Sequence, residues 1–498
     1  MESFFTMNLA ARDHAIIWHP YTQMQTAALP IGIVRGAGSL LYSESGAVYL
    51  DAVSSWWVTI HGHSHPSIAE KVAAQIKELD HVLFAGFTHR PAVELAEKLL
   101  TILPQNQKRI FYSDNGSTAV EVALKMAIQF WENLGTPKRR IIAFRDSYHG
   151  DTFGAMSVSS RSAFTQPFVQ YLFEVDFLDV PVPGKEQGVL AQLREILKKE
   201  DVAAFIFEPL LLGTAGMVMY EPAILDELLK ICQQQQVLTI ADEVMTGFGR
   251  TGKSFATEFL KNQPDIMCFS KGLTGGVMAL GVTSCTAVIY EAFLSDNPAK
   301  TFFHGHSFTA NPIACATALA SLDLFMDTAC QDNINRISQQ HAQFRNQLAN
   351  HPIIKECRQL GTVLAVEFNV GETSYFNNIR QKLYQYALDN HVILRPLGNI
   401  IYVMPPYCTT NAQLAQIYGV VSGMLTLMAE NWFDTQKLYH PARLGRYLAP
   451  GQHFSGSTCR LRTTWFPDFL KNFSGFTRSG GCFNAGSRRA FNGAPARE

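Results

Sequence analysis

Charge of one sign is what this chain most plainly lacks. It carries 41 Lys and Arg against 42 Asp and Glu, a net charge of −1. The overall balance therefore makes no case for a nucleic acid or a membrane surface as partner. A disulfide framework is missing too. The nine cysteines (Cys232, Cys268, Cys285, Cys315, Cys330, Cys357, Cys408, Cys459 and Cys482) are odd in number, widely spaced and without a C-x-x-C pair. They read as reduced thiols in a cytoplasmic protein. His304 and His306 have no companions at a convincing ligand spacing, so no metal is expected. The start, MESFFTMNLAARDH, has no basic stretch leading into an apolar one, and a secretory leader is not expected. The uncharged run 272–290 holds four Gly and three Thr. It reads as loop, strand, turn and strand in a core, not as a membrane span.

What is present is ordinary globular material: 498 residues, 47% hydrophobic and 17% charged, enough for two or three domains. Residues 1–60 are mixed, and IVRGAGSLLYSESGAVYLDA within them looks like short strands joined by Gly and Ser turns. The periodicity turns helical from His65 to Leu100. Residues 108–330 then alternate strands and helices (RIFYSD, a helix from Ser117, RIIAFRD, VAAFIFEP, a helix near 222–235, LTIADE, IMCFSK), which predicts a mainly parallel sheet with helices on both faces. A second block comes next: a polar helix near 333–350, the strand TVLAVEF, a helix near 375–390, VILRPL, IIYVMPP and a last helix near 411–430. Beyond Asp434 the character changes. Residues 435–498 contain no Ile, Val or Met and hold ten Lys and Arg against two acids. That break reads as a basic, disordered extension foreign to the fold.

The chemistry is concentrated at strand ends. VLTIAD ends on Asp242 and IMCFS runs into Lys271, 29 residues later, with Gly272, Gly275 and Gly276 behind it. Both runs are short and apolar, as buried parallel strands are, and ligands of such sheets sit beyond the carboxyl ends of the strands. A lysine there can form a Schiff base and a carboxylate can hold a pyridinium nitrogen protonated, the two groups pyridoxal 5′-phosphate (PLP) needs. Taken alone, the pair is as well explained by a structural ion pair. Ser113-Asp114-Asn115-Gly116-Ser117-Thr118 ends one strand and opens a helix. Alone it is an N-cap, and beside the Asp/Lys pair it is the natural phosphate cradle. Tyr148 comes after another strand and is placed to stack on a flat ring. Arg250, in GFGRTG, and Arg395, in VILRPL, suit either a substrate carboxylate or a surface ion pair. Ser307 offers a hydroxyl just before a helix.

The runs SDNGSTAVEVALKMA, FRDSYHGDTFGAMSVS, IFEPLLLGTAGMVMY, LTIADEVMTGFGRTG, FSKGLTGG and HGHSFTANPIACATALASL together resemble the class III aminotransferases of PLP fold type I, from about Arg12 to about Asn431. The resemblance implies an α/β fold: a large, mainly parallel sheet domain (61–330) with helices on both faces, and a smaller α+β domain built from both termini (1–60 and 331–434). It implies Lys271 as the Schiff-base lysine, Asp242 as partner of the pyridine nitrogen and Tyr148 on the ring. Gly116, Ser117 and Ser307 would hold the phosphate, Ser307 reaching across a homodimer. IWHPYTQ, SSWW, HGHSHP and LRPLGNIIYVMPPY are similar to the branch of this family that serves biotin biosynthesis. Tyr21, Trp56, Arg250, Arg395 and Tyr402 would then line the substrate pocket. The substrates implied are S-adenosylmethionine as amino donor, with lysine the alternative used by some relatives, and the keto acid 8-amino-7-oxononanoate as acceptor. Another class III aminotransferase, acting on an ω-amino acid, 4-aminobutyrate or ornithine, is the rival reading.

Overall fold

The computed structural model describes residues 8–369 and 378–438. The expected extension 435–498 lies outside these residues from 439 onward, with Cys459 and Cys482. The seven cysteines that are described are all free.

Seven strands make the large sheet: β1 (Gln107–Ser113), β2 (Arg140–Phe144), β3 (Asp176–Leu178), β4 (Val202–Phe207), β5 (Leu238–Asp242), β6 (Ile266–Phe269) and β7 (Gly281–Thr286), in the spatial order β1-β7-β6-β5-β4-β2-β3. Neighbours from β6 through β5, β4 and β2 to β3 are parallel. Only β7 runs against its neighbours, β6 and β1. Every residue of β4 and β5 is buried, which is why these strands read as unbroken apolar runs.

Each face of the sheet is covered. On one side the helix Gly116–Asn133 sets Val120, Ala123 and Ala127 over Ala204, Ile206, Ile240 and Ile266. On the other, Leu95, Leu99, Leu193, Leu225 and Leu229 from three further helices pack with Phe144, Phe205 and Phe207. The side chains of Phe205 and Ile206 enter opposite clusters, as alternation along a strand requires. A four-stranded sheet takes three strands from Ile33–Ala37, Leu40–Ser43 and Val48–Asp51, and its fourth, Val392–Ile393, pairs parallel with Val48–Asp51. A three-stranded antiparallel sheet joins Ile354–Leu360, Val363–Phe368 and Ile400–Val403.

Some expected elements differ. The run 272–290 supplies one strand, β7, and then the helix Ala287–Glu291 in place of a second strand. The helical stretch 65–100 is two helices, Pro66–Glu78 and Arg90–Ile102, each with proline at its first turn, where the missing N–H costs nothing. VILRPL is extended only over Val392–Ile393, since Pro396 cannot donate to a ladder. The polar helix starts earlier, at Thr328–Leu348, because the Asp327 side chain caps it through the Ala329 N–H. The last helix, Asn411–Leu438, runs longer than expected. Among the described residues no single helix is long and apolar enough to cross a membrane.

Candidate active site

Parallel pairing sets Asp242, at the carboxyl end of β5, beside Cys268 of β6. Lys271 comes three residues later, in a short 3-10 turn. Both side chains enter a cavity of about 450 Å³ at the carboxyl end of the sheet, lined also by Asn115, Gly116, Ser117, Tyr148, His149 and Glu208. Asp242 is 5% exposed. Its Oδ2 lies 2.7 Å from His149 Nδ1 and its Oδ1 accepts the Val244 N–H at 3.1 Å. Lys271 Nζ stands 4.6 Å from the Trp57 ring centroid. Burial lowers the Lys271 amine to a pKa of about 8, against the opposing pull of Asp242 and Glu208. A fraction of the amine is therefore neutral near pH 7, as a nucleophile or base requires.

The helix Gly116–Asn133 points its N-terminus into this cavity. Its cap, Asn115, accepts from Thr118 N–H, and the Thr118 hydroxyl reaches back to Asn115 N–H. The N–H groups of Gly116 and Ser117 belong to the helix's first turn, which has no intrahelical acceptors. Space around them is tight. A Cβ on Gly116 would meet Val244 Cγ1 at 2.7 Å, and one on Gly150, where φ is +135°, would meet Ser117 Oγ at 2.1 Å. Small residues hold the backbone close to whatever occupies the cavity.

A second cavity, of about 880 Å³, shares Trp57, Val58, Tyr148, Gly150 and Lys271 with the first and adds Tyr21, Trp56, Phe164, Arg380, Arg395 and Tyr402. The SSWW run is an irregular turn in which Ser54, Ser55 and Trp57 all have positive φ. Such strain needs firm support. It comes from Ser54 Oγ donating to Met404 O at 2.8 Å and Trp57 Nε1 donating to Tyr402 OH at 3.0 Å. The turn sends Trp57 over Lys271 and Trp56 outward against Tyr21 (5.8 Å between ring centroids) and Arg395, whose Cζ is 4.3 Å from the Trp56 centroid. The Tyr21 hydroxyl donates to Asp151. Trp18, quoted with Tyr21 in the same run, is 87% exposed and lines neither cavity.

Two expected residues are not brought in. Arg250 is 1% exposed and lines neither cavity. It donates to Pro405 O at 2.9 Å and Trp57 O at 3.4 Å, tying the segment after β5 to the Trp57 turn, while its Nε makes no hydrogen bond among the described residues. Ser307 is exposed and lines neither cavity of its own chain. Two residues received no role from the sequence. His149 is buried against Asp242. Glu208, pushed up to about 7 chiefly by burial, accepts the N–H groups of Tyr148 (2.9 Å) and Gly213 (3.0 Å). A carboxylate at the end of the apolar run VAAFIFEP was the available signal for Glu208. His149 adjoins Tyr148, but nothing along the chain linked it to a residue 93 positions away.

The model of the class III aminotransferases matches residues 21–425, and the chain belongs to that family of PLP-dependent enzymes. The adenosylmethionine-8-amino-7-oxononanoate aminotransferase of Synechococcus elongatus is 46% identical over 421 residues, 83% of this chain and 99% of the relative. The crystal structure of the enzyme of that name from Methanocaldococcus jannaschii is 33% identical, with a TM-score of 0.79 over 84% of this chain and 98% of its own. An amine transaminase from an uncultivated Pseudomonas species, solved with PLP bound, is 29% identical, with a TM-score of 0.78 over 82% of this chain and 98% of its own. The smaller cavity fits the cofactor. It offers an amine, a carboxylate locked by two hydrogen bonds, a helix N-terminus for a phosphate, and glycines where any side chain would fill the space.

Proposed function

We propose that this chain transfers an amino group from S-adenosylmethionine to the 7-keto carbon of 8-amino-7-oxononanoate, giving 7,8-diaminononanoate for biotin biosynthesis. The observation that carries this reading is the larger cavity. It is aromatic-walled, lined by Lys271 and furnished with Arg395, which suits a fatty chain bearing a keto group and a terminal carboxylate. The identity shared with relatives of that activity supports it.

PLP, when bound, supplies the electron sink and carries the amine between the two substrates. In our reading Lys271 Nζ anchors the cofactor, takes the proton from the donor's Cα and later returns one to C7 of the acceptor. Asp242, oriented by His149 and the Val244 N–H, keeps a ring nitrogen protonated. Gly116 and Ser117 hold the phosphate at the helix N-terminus. Tyr148, whose backbone N–H is fixed by Glu208, and Trp57 form the walls on which a flat ring rests. Tyr21, Trp56 and Tyr402 exclude water along the fatty chain, and Arg395 takes its carboxylate. The active unit is proposed to be a cytoplasmic homodimer in which Ser307 completes the partner subunit's phosphate site.

Complementation of a biotin auxotroph lacking this step tests the reading. Growth without biotin supports it. Failure to complement, together with rapid turnover of 4-aminobutyrate or ornithine, favours the rival, whose support is the shared fold of the amine transaminase.

A further inference from the structure

One wall of the larger cavity comes from a segment to which the sequence assigned no role. It is the turn 213–217 of a small hairpin, in which Leu211–Leu212 pairs with Val218–Met219. Thr214, Ala215 and Val218 line the larger cavity, and no residue of 213–218 lines the smaller one. The turn is strained, with φ of +91° at Gly216 and +56° at Met217. A left-handed methionine persists only where its surroundings hold it there.

Two buried charged side chains hold this turn, one at each end. At the start, Glu208 Oε2 accepts the Gly213 N–H at 3.0 Å while Oε1 accepts the Tyr148 N–H. At the far end, Arg358 reaches across from the strand Ile354–Leu360 with its side chain only 8% exposed. Its Nη2 donates to Gly216 O at 2.8 Å and its Nε to Met217 O at 3.1 Å. Nη1 donates to Glu367 Oε2 at 2.7 Å and to Glu356. Burial pushes the Glu367 carboxyl up, but Lys355 and Arg358 outweigh it and hold the group below its ordinary value. A Cβ on Gly216 would meet Ile400 Cδ1 at 2.4 Å, and Ile400 belongs to the same three-stranded sheet as Arg358 and Glu367. The wall therefore takes its position from that sheet. Pairing with Glu367 needs only one edge of the guanidinium. The other two nitrogens are aimed at the carbonyls of the strained turn, a geometry that a planar fork meets and a point charge does not.

We propose that Arg358 is a positioning residue for substrate binding. From the three-stranded sheet it fixes the Thr214–Val218 wall of the larger cavity, and so sets substrate affinity while touching neither substrate nor cofactor. The inference rests on the larger cavity being the substrate site, as proposed above, whichever donor enters it.

The test is the donor half-reaction of the PLP-loaded enzyme in the wild type, Arg358→Lys and Arg358→Met, followed by bleaching of the cofactor's visible absorbance. The donor is S-adenosylmethionine or, where the wild type refuses it, 4-aminobutyrate or ornithine. Arg358→Lys keeps a charge for Glu367 without the fork, so it decides the matter alone if Arg358→Met does not fold. Both variants are expected to raise the half-saturating donor concentration about tenfold or more, since charge-assisted bonds to the turn are lost. The limiting rate should stay within about threefold and PLP affinity within about twofold of the wild type. A lowered thermal midpoint with unchanged half-saturation overturns the proposal and leaves Arg358 a purely structural residue. Parallel losses of donor and PLP affinity also overturn it, because the wall borders only the larger cavity. A wild type that refuses S-adenosylmethionine refutes the proposed donor, and the variants' half-saturation for the donor it accepts still decides this inference.

Discussion

His149 Nδ1 stands 2.7 Å from Asp242 Oδ2, and both side chains are buried. To donate to the carboxylate the ring must carry a proton on Nδ1, which leaves Asp242 with a fixed orientation at the end of β5. His149 is thus a positioning residue for the group assigned to the cofactor's ring nitrogen. His149→Ala should lower kcat by about 10- to 100-fold, the worth of one hydrogen bond to a charged group, with a smaller change in substrate KM. Steady-state kinetics on fully cofactor-loaded protein checks this. An unchanged kcat would remove His149 from the site.

Lys271 titrates about pH 8 in the cofactor-free fold against 10.5 ordinarily. Between those values the unfolded chain binds more protons, so this group makes stability rise with pH across that window. Below about pH 8 the amine is charged in both states, and its burial penalty stands in full. Chemical denaturation of the cofactor-free protein and of Lys271→Met should differ most below about pH 8, with Lys271→Met the more stable. The gap should close as pH climbs toward about 10.5. A gap independent of pH would contradict the assignment of burial as the cause.

Gly150 can carry no side chain without movement. Its φ of +135° disfavours any L residue, and a Cβ would also press on Ser117 Cα at 2.9 Å. Gly150→Ala should cost about 1–3 kcal/mol of stability and weaken PLP binding, because Ser117 would be pushed within the phosphate cradle. Denaturant midpoints and a PLP titration measure the two effects separately. Loss of stability with unaltered PLP affinity would move Ser117 out of the cradle.

Arg395→Ala should raise KM for the keto acid about tenfold or more and leave cofactor content intact, since Arg395 lines the larger cavity only. Unchanged kinetics for the keto acid would take Arg395 out of the carboxylate subsite.

Much of this site was legible along the chain for one physical reason. β5 and β6 are buried on both faces, so their apolar runs stand out, and the residues just past each run fall at the carboxyl edge of the sheet. Asp242 and Lys271 were placed by that rule, and the run Ser113–Thr118 by its strand-to-helix junction. Contacts between distant elements were not legible. The Trp57 position over Lys271 depends on three left-handed residues in SSWW, a conformation that sequence preferences argue against. Arg250 shows the opposite limit. An arginine in a glycine-rich loop is equally suited to a carboxylate or to two backbone carbonyls, and its bonds to Pro405 O and Trp57 O come from distant segments that local sequence could not place beside it.

One experiment with the yellow, PLP-loaded enzyme tests the proposed amino transfer most directly. Added S-adenosylmethionine should bleach the cofactor's visible absorbance in a single turnover, and 8-amino-7-oxononanoate added afterwards should restore it as 7,8-diaminononanoate appears. Bleaching by 4-aminobutyrate or ornithine but not by S-adenosylmethionine, with no recovery on adding the keto acid, would contradict it.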